Sequence, residues 1–186
     1  MGRWPPDSAA RLKASAVALF QERGFAGVTA AEIASRAGMT ERTFFRHFRA
    51  KEDVLFEDYS GVREALVEAI AAAPAGSSVR DLMQVVADLL GGRFEGQREE
   101  HRAFADLMAR EPALGARELA RDHDWALAVA EGFRRRGFAP ARAALLAATT
   151  ASTFRVVHGQ WLKDRSRTKL ATRFAAAIAE LASELA

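Results

Sequence analysis

Apolar residues recur along this chain at three- and four-residue spacings and nowhere alternate strictly with polar ones, which predicts helices throughout and no strands. A first helix is expected after Pro5-Pro6, capped by Asp7 or Ser8, with Leu12, Ala16, Leu19 and Phe20 on one face and a stop at Gly24. Thr29-Ala-Ala-Glu32 has the spacing of a capping box, in which hydroxyl and carboxylate satisfy reciprocal backbone amides, so a second helix starts there. It ends near Ala37, because Gly38 can take the left-handed backbone that a tight exit needs, and Thr40 then caps a third short helix. A long helix is expected from Lys51 to Ala73, striped by Leu55, Val62, Leu66 and Ile70. Further helices are expected at 78–95, 98–111, 113–136, 140–163 and 166–185, the last with Leu170, Phe174, Ile178, Leu181 and Leu185 as its apolar stripe. Gly91-Gly92, Pro112, Gly137 and the Lys163-Asp-Arg-Ser turn punctuate them. The expected fold is all-α, with about nine helices. A three-helix head, residues 1–51, is joined by the long helix to a helical bundle, residues 52–186.

Charge changes this picture more than composition does. Hydrophobic residues make up 49% of the chain and charged residues 27%, as in ordinary globular proteins. Residues 1–51, however, hold nine Lys/Arg against four Asp/Glu, while the rest holds 18 against 20. A basic head on a near-neutral body suits phosphate binding. The absence of cysteine excludes disulfides, thiolate zinc sites and thiol nucleophiles, and fits a reducing cytoplasm. The N-terminal Met1-Gly-Arg-Trp-Pro-Pro6 has no apolar signal core, and no stretch approaches the ~20 apolar residues of a membrane span, so a cytoplasmic chain without membrane contact is expected. No GxSxG, P-loop, GxGxxG or HExxH occurs, so neither an enzyme nor a cofactor is expected. His101, His123 and His158 with Asp122 and Asp124 lack i,i+4 ligand spacing, so no metal site is expected either.

The segment Thr29–Phe48 has helix-turn-helix spacing: small Ala34 where two helices cross, Gly38 in the turn, and Phe44 and Phe48 inward at i and i+4. Fixing that buried side leaves Thr40, Glu41, Arg42, Thr43 and Arg46 outward, at the end of the third helix that enters the major groove in such motifs. Arg42 or Arg46 can fork onto guanine O6 and N7, and Glu41 can accept from a cytosine amine. The rival reading is a helical protein-interaction or ligand-binding module without DNA binding. It accounts for the bundle, but not for the capping box, turn glycine and basic head together.

Phe25-Ala-Gly-Val-Thr29-Ala-Ala-Glu-Ile33-Ala, Ala37-Gly38-Met-Thr40 and Thr43-Phe-Phe-Arg-His47-Phe48, followed by Lys51-Glu-Asp-Val-Leu55, resemble the N-terminal signature of the TetR family over roughly residues 9–56. The resemblance implies a homodimeric regulator, a repressor by the family's habit, released from a palindromic double-stranded operator by a small effector. It also implies phosphate contacts at Thr29, Thr43, His47 and Lys51. Phe45 stands where the family often has Tyr, so it offers a thymine methyl contact rather than a hydroxyl, and Ala50 stands where Ser or Asn would cap the lysine's helix. The small-residue face Ala143–Thr153 and the last helix are the implied dimer surface. Met83, Leu90, Phe94, Phe104, Leu107, Met108, Trp125, Phe154 and Trp161 are the candidate lining of an apolar pocket. The run Glu99–Trp161 is similar to a subgroup that includes regulators of mycofactocin-type clusters, some responsive to acyl-CoA. The effector is therefore expected to be apolar or acyl-CoA-like. Arg134, Arg135 and Arg136 could then receive its phosphates, but favourable placement at a helix C-terminus before Gly137 is the preferred reading of them.

Overall fold

Two short, capped helices near the front of the chain are followed by longer ones. The structure, a computed structural model, describes residues 8–56, 60–164 and 166–184. Its described residues form α1 (Ser8–Arg23), α2 (Ala30–Arg36), α3 (Glu41–His47), a 3-10 turn (Lys51–Val54), α4 (Ser60–Ala71), α5 (Val79–Phe94), a second 3-10 turn (Glu95–Gln97), α6 (Arg98–Arg110), α7 (Pro112–Arg135), α8 (Pro140–Lys163) and α9 (Leu170–Glu184). Nine α-helices and no strand are thus present among the described residues, as the periodicity predicts. The expected cap Asp7 and the stripe residue Leu185 lie outside them.

One expected helix differs. In place of a helix starting at Lys51, that segment forms a 3-10 turn closed by Leu55 N–H to Glu52 and Phe56 N–H to Asp53, and α4 starts at Ser60; residues 57–59 lie outside the described ones. The start of the turn is half capped. Asp53 Oδ2 accepts from the Ala50 amide at 2.8 Å, but Ala50 has no oxygen to return the bond. A second difference concerns Gly91-Gly92, which breaks nothing. α5 runs through it, and the missing side chain of Gly91 lets the Ala171 amide nitrogen come within 3.4 Å of where a Cβ would stand.

Packing divides the chain into two units, residues Met1–Asp58 with Ala103–Glu118, and Tyr59–Arg102 with Leu119–Ala186. The first, the head, buries Leu12, Ala16 and Phe20 of α1, Ile33 and Ala34 of α2 and Phe44 of α3 around one core. Leu107, Met108 and Leu114, far along the chain, complete that core. α2 and α3 have seven residues each, well below the ~12–15 that sustain an isolated helix, so this burial and their caps hold them. In the second unit, the body, α9 packs on α5 and α8 through Leu170, Phe174 and Ile178. α4 meets α7 so closely that a Cβ on Gly132 would stand 2.8 Å from Ile70 Cβ.

Candidate nucleic-acid interface and the aromatic cluster of the body

The turn between α2 and α3 closes as a Schellman motif. Gly38, at φ +70°, donates to Ser35 O at 2.9 Å and Met39 donates to Ala34 O at 2.8 Å, which terminates α2 within one residue. Arg11 of α1 secures the turn from outside, its Nη2 donating to Ala37 O at 2.6 Å. Thr40 then caps α3, accepting from the Thr43 amide at 3.2 Å. At the other end of α2 the capping box forms as the spacing predicts, with Glu32 Oε2 accepting from both the amide and the hydroxyl of Thr29 at 2.8 Å. Those bonds, with the ion pair to Arg23, hold the Glu32 carboxyl at about 2.

α3 buries Phe44 and turns Glu41, Arg42, Phe45, Arg46 and His47 to solvent, with the capping residue Thr40 exposed beside them. Arg42 has no partner among the described residues, and Phe45 is 51% exposed, its ring held edge-on to Phe44. Thr43 corrects the expectation of an outward side chain. It is 4% exposed, and its hydroxyl sits 3.0 Å from that of Thr40 inside the cap. The helix's period places residue 43 next to Phe44 on the core side, and a hydroxyl tolerates burial there because the neighbouring hydroxyl pairs it.

Two expected phosphate partners are already engaged within the head. Lys51 donates to Phe25 O at 2.6 Å and Val28 O at 2.7 Å, with its ammonium 4.1 Å from the Phe25 ring centroid. Two of its three N–H groups therefore clasp the α1–α2 loop, leaving one for an external anion. His47 Nε2 lies 3.0 Å from Ser8 Oγ, tying the end of α3 to the start of α1. Sequence reasoning missed the residues that brace this loop and the 3-10 turn from far along the chain. Glu111 accepts from the Phe25 amide at 3.0 Å, and Arg117 pairs with Asp53 at 2.5 Å and Glu52 at 3.2 Å. Their separation of more than 60 residues hides them from any local pattern.

Of the nine candidate pocket residues, Leu107 and Met108 are buried in the head core and Phe104 packs against it. Met83, Leu90, Phe94, Trp125, Phe154 and Trp161 are buried in the body. There the Phe94 ring stands 6.2 Å from Phe154 and 6.3 Å from Trp125, with two histidines among them: His101 is 4.3 Å and His158 5.3 Å from Phe94. The sequence does not reveal that His101 and His158 meet, at 5.9 Å between rings, because they sit on different helices. No group of three or more potential metal-ligating side chains occurs among the described residues. Arg134 and Arg135 pair with Glu131, and Arg135 also with Glu68. Arg136 donates to Pro74 O at 2.9 Å and Ala71 O at 3.3 Å, so the three arginines tie α7 to itself and to the end of α4.

Residues 12–57, the stretch whose caps and turn are described above, match the description of bacterial regulatory proteins of the tetR family. In its head, this chain matches the TetR family. It is 33% identical over 115 residues to the HTH-type transcriptional regulator TcmR of Streptomyces glaucescens, a match covering 59% of this chain and 51% of that protein. The chain thus matches about half the length of that curated relative. Two solved structures share its architecture. Thermus thermophilus FadR, a TetR-family repressor in complex with lauroyl-CoA, has a TM-score of 0.57 at 22% identity, covering 94% of this chain and 93% of that one. The SmeT–triclosan complex has a TM-score of 0.62 at 19% identity, covering 93% and 90%. At such identities the likeness is one of TetR fold, in the head and body alike.

Proposed function

We propose that this chain is a DNA-binding transcriptional regulator of the TetR type, a homodimeric repressor released from a palindromic operator by a small effector. Residues 1–51 would contact DNA, and residues 52–186 would hold the effector and the dimer surface. The observation that carries this reading is the exposed face of α3, where Glu41, Arg42, Phe45 and Arg46 project from a helix whose back is anchored by Phe44 and whose start is fixed by Gly38 and Thr40. A fork from Arg42 or Arg46 onto guanine is worth about 1–3 kcal/mol of discrimination, and Phe45 offers an apolar surface to a thymine methyl. Thr29, Thr40, His47 and the remaining N–H of Lys51 are the backbone contacts in this scheme, and Thr43 acts through the cap. Leu145 and Val156 of α8 and Leu181 of α9, exposed amid small residues, support dimerisation through these two helices. No described helix is long and apolar enough to cross a membrane, in keeping with work on DNA in the cytoplasm. The effector site is drawn from the six body residues, Met83, Leu90, Phe94, Trp125, Phe154 and Trp161, and its ligand is apolar in the main.

Selection of duplexes from a random-sequence pool tests the reading. The expected product is an inverted repeat whose half-sites lie about 34 Å apart, one turn of the duplex. Arg42→Ala should relax preference at one position of that repeat while Lys51→Ala weakens binding to every sequence. Failure to enrich any duplex at low ionic strength would reject DNA binding in favour of a helical ligand-binding module.

A further inference from the structure

Polar atoms buried in a protein interior are nearly all hydrogen-bonded, and each exception calls for an explanation. In the body, the buried hydroxyl of Thr150 donates to Leu146 O at 2.7 Å. Arg98 is bound through its terminal nitrogens to the carbonyls of Trp161, Asp164 and Ser166, and Arg173 to Asp164 and Ser166. Their buried Nε atoms, and that of Arg121, whose guanidinium pairs with Asp122 and lies 5.0 Å from the Trp125 ring centroid, thus belong to groups already held in place. His158 Nε2 is different: it is buried, and the imidazole makes no hydrogen bond through it or any other ring atom among the described residues. Rings surround it. Phe154 lies nearly parallel to the imidazole, at 9° and 5.9 Å, and Trp161 lies at 25° and 6.0 Å. Phe94 at 5.3 Å and the edge-on His101 at 5.9 Å complete the cluster.

We propose that His158 Nε2 is the polar anchor of the effector site, and that the effector is a flat aromatic molecule whose hydroxyl hydrogen-bonds to it. The proposal rests on the body being an effector domain and names the chemical class it takes. Aromatic faces with near-parallel planes favour a stacked ring over an alkyl chain. A hydroxyl suits the imidazole in either neutral tautomer, because it can donate to a bare nitrogen or accept from an N–H. The imidazole is neutral at cellular pH: burial, with smaller contributions from His101 and Arg121, pushes its pKa down to about 4. A carboxylate or phosphate would need the imidazolium form for a comparable ion pair, and that form is disfavoured here.

Binding to the full chain, measured by titration calorimetry with 2-naphthol, naphthalene and 2-naphthoate, tests this without reference to DNA. The ratio of naphthalene to 2-naphthol dissociation constants should fall about tenfold on going from wild type to His158→Phe, which keeps a ring but no nitrogen. An unchanged ratio, tighter binding of 2-naphthoate than of 2-naphthol by the wild type, or no binding of 2-naphthol up to its solubility limit would each overturn the proposal. The wild type alone gives a second measurement. The imidazole 15Nε2 resonance of His158 should move on adding 2-naphthol and stay fixed on adding naphthalene, and a resonance unmoved by saturating 2-naphthol would also overturn it. If these outcomes fail while another compound still releases the selected duplex, the effector reading stands and only the aromatic hydroxyl class is lost.

Discussion

The head and the body hold their helices by different means. In the head, two seven-residue helices are fixed at their ends: a capping box at Thr29, a Schellman turn at Gly38, a threonine cap at Thr40, and long-armed groups, Arg11, Lys51 and Glu111, that bind backbone atoms of the turns. In the body, helices of up to 24 residues lie along one another through apolar stripes; a capping box at Ser78 starts α5, and the other polar ties gather at the α8–α9 connection and the end of α4. End-fixing sets the position of a short helix to within a residue. Stripe packing tolerates local repacking, which suits the region proposed to admit a ligand.

The largest effect that tests this contrast is removal of a stripe residue. Phe174→Ala in α9, where the side chain is fully buried, should cost about 3–5 kcal/mol in urea unfolding. A loss below 1 kcal/mol would mean that α9 does not depend on its stripe.

Acid titration should separate the regions next. The His158 pKa is depressed from 6.5 to about 4, so the unfolded chain binds the proton more readily, and stability contributed by the neutral imidazole is lost as pH falls from 6.5 towards 4, by up to about 3 kcal/mol. Glu32 is depressed from 4.5 to about 2, so its contribution persists to lower pH and fades only between those values. Chemical denaturation from pH 7 to pH 3 should therefore show a first loss abolished by His158→Phe and a second reduced by Glu32→Gln. A first loss that survives His158→Phe would contradict the assignment.

Lys51→Met frees the carbonyls of Phe25 and Val28 and should cost about 2 kcal/mol, with faster amide exchange in residues 24–29. Wild-type stability in this variant would leave Lys51 as a surface cation rather than a clasp. The smallest pair sharpens the comparison by sign. Gly38→Ala forces a side chain into φ +70° with Arg11 Nη2 3.3 Å away and should destabilise by about 1–2 kcal/mol. Gly92→Ala, exposed within α5 with nothing within 4 Å, should stabilise by about 0.5–1 kcal/mol. Thermal unfolding of the two variants should move in opposite directions.

The same contrast explains what could be read from the chain alone. The ends of α2 and α3 were legible because caps are local: Thr29 with Glu32, Gly38 after Ala37, Thr40 with Thr43. α8 was legible because Pro140 opens it and its period runs unbroken to Lys163. Periodicity also suggested a helix across Lys51–Val54, where a 3-10 turn forms, since it does not register a start with only half a cap. It marked Gly91-Gly92 as a break, where the glycine serves a close approach. The clasp of Lys51, the brace from Glu111 and Arg117, and the meeting of His101 with His158 depend on residues 23 to 86 positions apart, and no local pattern encodes them.

The head's core is discontinuous in the chain, and this has a consequence for synthesis. Its first 58 residues leave the ribosome well before Leu107, Met108 and Leu114, which close the core, and before Glu111, which holds the Phe25 amide. The nascent α3 thus waits for roughly another 60 codons, several seconds at ordinary elongation rates, before its supports arrive. A fragment cut at residue 58 would lack the same supports, so grafting the head onto another protein requires carrying residues 103–118 with it.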